Sequence, residues 1–389
     1  MNEVRIGIVG MGNMGWGHAT YLTEGKVKGA VLTAVSDLFD AKRKQAQETF
    51  GDRVATFETA EAMFASGLVD AVLVATPHYD HPECAMLAFR HGLHVLIEKP
   101  AGVYTKQVRL MNEAAAASGK VFSIMYNQRT NPIYMKLRDL IATGELGEVR
   151  RTNWIITNWY RSQSYYNSGG WRATWAGEGG GVLINQDPHQ LDLWQWTIGM
   201  MPTRVRAFCH FGKYRDIEVE DDVTAYVEYA NGATGVFVTT TGEAPGTNRF
   251  EVTGDRGKIV IEDGKLTFWR LRVPEPEFNA TYTGGFGQPE CWKCDIPIQG
   301  TSPEHRGITQ NFVDAILRGT PLIAPGEEGI RGLTLSNAMH LSTWTDDWVD
   351  LPIDEELYYE LLQERIRIST FKKDASGDKV LSVGGTFNS

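Results

Sequence analysis

The chain has 389 residues, 42% of them hydrophobic, which is enough to bury a substantial core and to form two domains. A formal net charge of −10 argues against nucleic acid as a partner, because phosphate-binding surfaces are basic. No stretch approaches the roughly 20 apolar residues that span a bilayer, and the chain enters a strand by Val4 without a secretory leader, so a cytoplasmic protein with no membrane partner is expected.

The first element is the apolar run Val4 to Val9, followed by Gly10-Met11-Gly12-Asn13-Met14-Gly15 and a helix-like segment. This is the pattern of a turn that binds a dinucleotide. One glycine makes the turn, a second lets the backbone approach a pyrophosphate, and a third lets the helix pack on the strand. Asp37 follows at the end of the next apolar run, 22 residues after Gly15, where a carboxylate accepts hydrogen bonds from a ribose and repels a 2'-phosphate. NAD is expected over NADP.

Further apolar runs at Ala30 to Val35, Ala71 to Val74, His94 to Ile97 and Val121 to Ile124 alternate with helical segments such as Phe39 to Phe50 and His81 to His91. Their continuous Val, Ile and Leu content predicts a doubly wound parallel sheet covered on both faces, a Rossmann domain over 1–127. Ligands bind at the carboxyl ends of such strands, which places Thr76 to His81 and Glu98 to Pro100 beside the glycine loop. Lys99, at a strand end and followed by Pro100, is a candidate catalytic amine; its alternative is a solvated strand-end lysine.

After a helical segment at Pro132 to Thr143, the pattern turns to alternation, as in Val223, Ala225, Val227 and Tyr229. Asn231-Gly232 and Asp263-Gly264 read as hairpin turns. An α+β domain over 128–365, with a large open-faced and mostly antiparallel sheet, is expected, and helical runs at Thr309 to Leu317 and Gly329 to Trp344 return to the core. Residues 366–389 read as a polar tail or an arm that orders on a neighbouring subunit.

Within this domain lies Gly179-Gly180-Gly181, followed by Asn185, Asp187, Pro188, His189 and Asp192. Asp187 reads as a helix N-cap, Pro188 as the first helical residue and His189 as the second. The positive end of the helix dipole disfavours an imidazolium there, so His189 is expected to be neutral at pH 7 and able to accept a proton. Trp154, Trp159, Tyr160, Tyr165, Tyr166, Trp171 and Trp175 form an aromatic cluster. Such faces stack on the C–H surface of a sugar, although any one of them alone reads as packing. Arg161 and Arg172 suit a carboxylate or hydroxyls, or surface pairing, with no choice between these. Cys84, Cys209, Cys291 and Cys294 are too few for a disulfide framework; Cys291 and Cys294 lack a second pair, so structural thiols and no metal are expected.

Taken together, Gly10 to Gly15, Thr76-Pro77 with His81, Glu98-Lys99-Pro100, Tyr126-Asn127-Gln128-Arg129, Trp171-Arg172, the triple glycine with His189 and Asp192, and Phe312 to Ile316 closely resemble the Gfo/Idh/MocA oxidoreductase family. The resemblance runs in order from Val4 to about Pro352. It implies reversible hydride transfer between the carbinol of a sugar or cyclitol and the nicotinamide, in a homo-oligomer that associates through the open sheet. Lys99 would bind the reacting hydroxyl and help relay its proton, His189 would be the acid/base partner, and Asn127 would lie near the nicotinamide amide. Thr76, Pro77, His78, His81 and Glu98 would flank the cofactor.

Two positions depart from the common pattern. Asn185 stands where many members carry aspartate, and asparagine cannot stabilise an imidazolium by charge. Asp187 is then the expected substitute carboxylate. His78 stands where asparagine is frequent. The substrate site is expected to comprise Lys99, Tyr165, Trp171, Arg172, Asn185, Asp187 and His189. An NAD-dependent dehydrogenase of a sugar, glycoside or cyclitol is expected, with C3 of a glucoside the sharper expectation. The alternatives are an NAD-dependent glycosidase, which yields no net NADH, and a regulatory protein responding to sugar or NAD, against which the presence of Lys99 counts.

Overall fold

The computed structural model of the protein describes residues 2–371. Its first sheet contains β1 (Val4–Val9), β2 (Ala30–Ser36), β3 (Ala55–Phe57), β4 (Ala71–Val74), β5 (His94–Ile97) and β6 (Phe122–Ile124). The spatial order is β3-β2-β1-β4-β5-β6 and every pairing is parallel. Connections from β1 lead one way and those from β4 the other, so a crevice opens where these two strands end. β1 and β4 are almost wholly buried, as their unbroken apolar runs require. The short β3 carries no such run, and the sequence pattern does not single it out.

The second sheet is built from β7 (Val149–Ile156), β8 (Arg204–Phe211), β9 (Glu220–Glu228), β10 (Thr234–Thr240), β11 (Asn248–Gly254), β12 (Gly257–Glu262), β13 (Lys265–Leu271), β14 (Cys291–Asp295) and β15 (Val349–Asp350). Its order is β14-β13-β12-β11-β7-β10-β9-β8-β15, antiparallel except where β7 meets β10. Asn231-Gly232 joins β9 to β10 and Asp263-Gly264 joins β12 to β13, as predicted.

One face of this sheet packs on helices Pro188–Ile198 and Gly329–Thr345, with Trp194 stacked on Phe237 and Trp154 stacked on Phe250. The other face leaves Ile155 and Phe208 exposed. Cys291 and Cys294 lie three apart on β14, which puts them on opposite faces of the strand.

Two late helices bind the domains together. On Glu304–Arg318, the Thr309 hydroxyl meets the Tyr21 hydroxyl at 2.8 Å. On Gly329–Thr345, the Asn337 carboxamide accepts from Thr105 N at 3.1 Å and donates to Val103 O at 3.0 Å. Helix Glu355–Ile368 runs beyond position 365, where the tail was expected to begin. Residues 372–389 of that expected arm lie outside the described residues.

Candidate active site

The glycine loop leaves β1 at Gly10, and helix Asn13–Thr23 starts at Asn13 and Met14 with Gly12 at the N-cap. A methyl group on Gly15 would sit 2.0 Å from Gly10 O, so only glycine lets the helix pack this tightly on the loop. On Gly12 it would meet nothing within 4 Å, which leaves bare backbone facing open space. The Asp37 carboxylate accepts from Met11 N at 2.8 Å and from Phe39 N at 2.9 Å, which fastens it beside the loop. Asn127 Oδ1 and Thr76 Oγ1 are buried with no protein partner. Buried polar atoms are normally satisfied, so these two mark where a ligand completes the site. Bare backbone, a helix N-terminus, a nearby acid and orphaned polar atoms together fit a dinucleotide.

At the end of β4, the two ring nitrogens of His81 lie 2.7 Å from Pro100 O and 2.8 Å from Thr76 O. A neutral ring donates to one of these carbonyls and rests against the other, so His81 sits between the two loops and ties them together. His78 Nδ1 faces Glu178 O at 3.1 Å and its ring meets Trp171 edge-on, which makes it a bridge to the second domain.

Glu98, at the end of β5, is buried. Its Oε1 lies 2.6 Å from His18 Nε2, and the chain of contacts continues through Tyr21 to Thr309. Burial pushes the Glu98 carboxyl up, but the His18 hydrogen bond and the charges around it outweigh this and hold it at about 2. Lys99 then turns towards the second domain, where its Nζ donates to Asn185 O at 2.8 Å. Burial lowers the affinity of this amine for a proton; Glu98 opposes the effect, and Arg172 and Arg161 add to it.

The facing wall is the segment from Trp171 to His189. A methyl group on Gly181 would sit 2.0 Å from Glu220 O, so the loop lies hard against β9. Glu220 Oε1 accepts from Gly181 N at 2.9 Å and Leu183 N at 3.0 Å, and Oε2 lies 2.9 Å from His340 Nε2, with both side chains fully buried. The Asn185 carboxamide donates to Glu178 Oε1, whose other oxygen accepts from Ala173 N at 2.5 Å. Tyr165 Oη accepts from Arg172 at 2.8 Å and Gln186 at 3.2 Å, and Arg172 lies over the Trp171 ring.

His189 stands in the first turn of helix Pro188–Ile198, as predicted, and is 4% exposed with neither ring nitrogen partnered. Burial, then the Lys99 charge, pushes its proton affinity well below the usual imidazole range. It is neutral at pH 7. Its helix is anchored three residues on, where Arg129 grips both oxygens of Asp192 at 2.6 and 2.8 Å.

Asp187 occupies the N-cap position, but its carboxyl makes no capping hydrogen bond. It is fully buried beside Thr239 and Trp159, and burial pushes it up to about 8. A carboxyl that keeps its proton at pH 7 is not the substitute carboxylate expected at this position.

The structure thus gathers Lys99, Asn185, His189, Arg172, Tyr165 and Trp171 from two domains. It removes Trp154, Trp159, Tyr166 and Trp175 from the expected sugar-facing cluster, because all four are core. Sequence reasoning missed His18, Glu178 and Glu220. Glu178 carried a signal, a charge between two glycines in a loop, whereas Glu220 opens an acidic run that reads as solvated.

The description "Oxidoreductase family, NAD-binding Rossmann fold" matches residues 4–126, and "GFO/IDH/MocA C-terminal domain" matches residues 134–260. The chain belongs to the Gfo/Idh/MocA oxidoreductase family. It is an NAD-binding oxidoreductase. Among relatives, it is 32% identical to the rhizopine catabolism protein MocA of Rhizobium meliloti, over 53% of this chain and 61% of that protein. It is 24% identical to an inositol 2-dehydrogenase of the same species, over 86% of this chain and 95% of that protein. In fold it is similar to the WlbA dehydrogenase of Bordetella pertussis, solved with NADH and UDP-GlcNAcA. The TM-score is 0.76 at 24% identity, with 90% of this chain and all of that one covered.

Proposed function

We propose that the protein transfers a hydride between NAD and a secondary alcohol of a sugar, glycoside or cyclitol, with C3 of a glucoside as the sharper reading. The observation that carries this is a buried neutral imidazole, His189, with both nitrogens unpartnered, near a half-buried amine, Lys99, at the ligand edge of a dinucleotide-binding sheet. The bound nicotinamide supplies a hydride acceptor or donor. Loss of hydride from a carbinol requires that its hydroxyl proton leave too. Lys99 donates a hydrogen bond to that hydroxyl and helps relay its proton, which His189 receives. In the reverse direction both return it. Tyr165 and Trp171, steadied by Arg172, present the aromatic faces that pack on the sugar ring. The inositol-named relative supports a polyhydroxylated ring as substrate.

The test is a panel of glucosides, free sugars and cyclitols followed by NADH absorbance and product analysis. Robust NADH formation with glucosides and a 3-keto product is expected. Turnover of myo-inositol without turnover of glucosides rejects the glucoside reading. Cleavage of a glycoside with no net NADH replaces the dehydrogenase with a glycosidase.

A further inference from the structure

We propose that Glu178 is a positioning residue that fixes which end of the Asn185 carboxamide faces Lys99 and the reacting group. This rests on the reading of the same cleft as a carbinol dehydrogenase site. Glu178 is 1% exposed, and each of its carboxyl oxygens receives an N–H, one from Asn185 Nδ2 and one from Ala173 N. Asn185 is therefore held at two points, through its main-chain oxygen by Lys99 Nζ and through its side-chain nitrogen by Glu178.

An amide that gives its nitrogen to a carboxylate must turn its oxygen away. Asn185 Oδ1 is thus left as an uncharged acceptor on a residue whose main-chain oxygen meets Lys99, suited to a substrate hydroxyl. The negative charge is displaced to Glu178, where Arg172 Nη1 lies 3.9 Å from Oε1. Glu178 already raises the proton affinity of Lys99 from its distance, and a carboxylate at 185 itself would raise it further.

The charged and titratable groups around Glu178 are Arg172, Lys99, Glu220, Tyr166 and His78, the last reaching its main-chain oxygen. Burial pushes the carboxyl up, Arg172 and the two N–H donors pull it down, and Glu220 adds to the rise.

The pair is an acid against an amide, so its chemistry can be exchanged. In Asn185→Asp two carboxyls meet in contact, one of them buried, and are driven to share a proton, whereas in Glu178→Gln one amide oxygen must serve two donors. The double variant restores one acid and one amide, reversed. Each single variant is expected to lose about tenfold or more in kcat/KM, and the double to regain the stability of the pair, because contacting residues couple, but not wild-type turnover, because the uncharged acceptor at 185 is gone. The pH profile of kcat/KM should shift in Asn185→Asp and stay shifted in the double variant, because both carry a carboxylate at 185. Thermal unfolding of the four proteins supplies the same cycle without substrate.

Recovery in the unfolding cycle with a pH profile that stays shifted supports the proposal, whereas wild-type turnover and pH profile in the double variant overturn it. Simple additivity in unfolding and turnover overturns it and leaves Glu178 as a brace for Ala173 alone. If no carbohydrate is turned over but the unfolding cycle shows recovery, the dehydrogenase reading fails while the Glu178–Asn185 pairing stands.

Discussion

The two walls of the cleft are held by different means. On the Rossmann wall, Lys99 and Glu98 follow directly from β5, and Gly10 from β1, so parallel strand register delivers them to one edge. Its acid is ionised, because His18 meets Glu98 inside the domain. On the opposite wall, the segment from Trp171 to His189 contains only short helical turns before residue 188, and a buried carboxylate from elsewhere, Glu220, holds it in place. One of its own acids, Asp187, stays protonated. A sheet edge positions groups through its backbone ladder, whereas an irregular loop must be positioned side chain by side chain.

Five substitutions sharpen or break that contrast. Lys99→Ala, on the sheet wall, is expected to lower turnover by about 10²–10⁴-fold, the usual worth of positioned proton transfer, with NADH binding retained by fluorescence titration. Activity within a few-fold of wild type would sink the assignment.

Asp187→Asn, on the loop wall, acts through pH. The folded carboxyl titrates near 8 against an ordinary value of 3.8, so the unfolded chain releases its proton first and wild-type stability falls as pH rises through that window. The asparagine variant should lose that slope, a change on the order of a few kcal/mol between pH 5 and 8 in urea unfolding. The Glu98 contribution has the opposite sign, being present above the ordinary carboxyl range and lost only as pH falls towards about 2.

Glu220→Ala leaves Gly181 N and Leu183 N buried without an acceptor, at about 1–3 kcal/mol for each orphaned amide. Calorimetry should show the lower midpoint, and kcat should fall because Asn185 and His189 lose their support. An unchanged midpoint would mean that the loop is not held from β9.

The smallest effect is expected from two glycines of the sheet wall. Gly15→Ala meets backbone and should cost about 1–3 kcal/mol of stability, whereas Gly12→Ala meets nothing and should unfold as the wild type does while binding NADH more weakly. Equal losses of stability in both variants would contradict this division of roles.

The first domain was largely legible. β1, β4 and β5 fall where their apolar runs predict, because a strand covered on both faces needs an unbroken apolar sequence. His189 in a first helical turn was equally readable from Asp187-Pro188, since proline suits that position. The failure of the Asp187 carboxyl to cap was not, because it is enclosed by β10 and the 157–160 segment, which no local pattern reveals. The aromatic cluster misled for a related reason. Trp154 and Tyr165 are alike as side chains, and only the packing of β7 on β11 places the first in the core.

By itself the sequence determined the parallel sheet, the glycine turn, the strand-end lysine and the helix that presents His189, because each depends on neighbours within a few residues. Tertiary structure alone decided that Glu178 holds Asn185, that Glu220 braces the glycine loop and that Asp187 keeps its proton. Hydrogen bonds between distant residues and the loss of water around a carboxyl are properties of the assembled interior and leave no periodic mark along the chain.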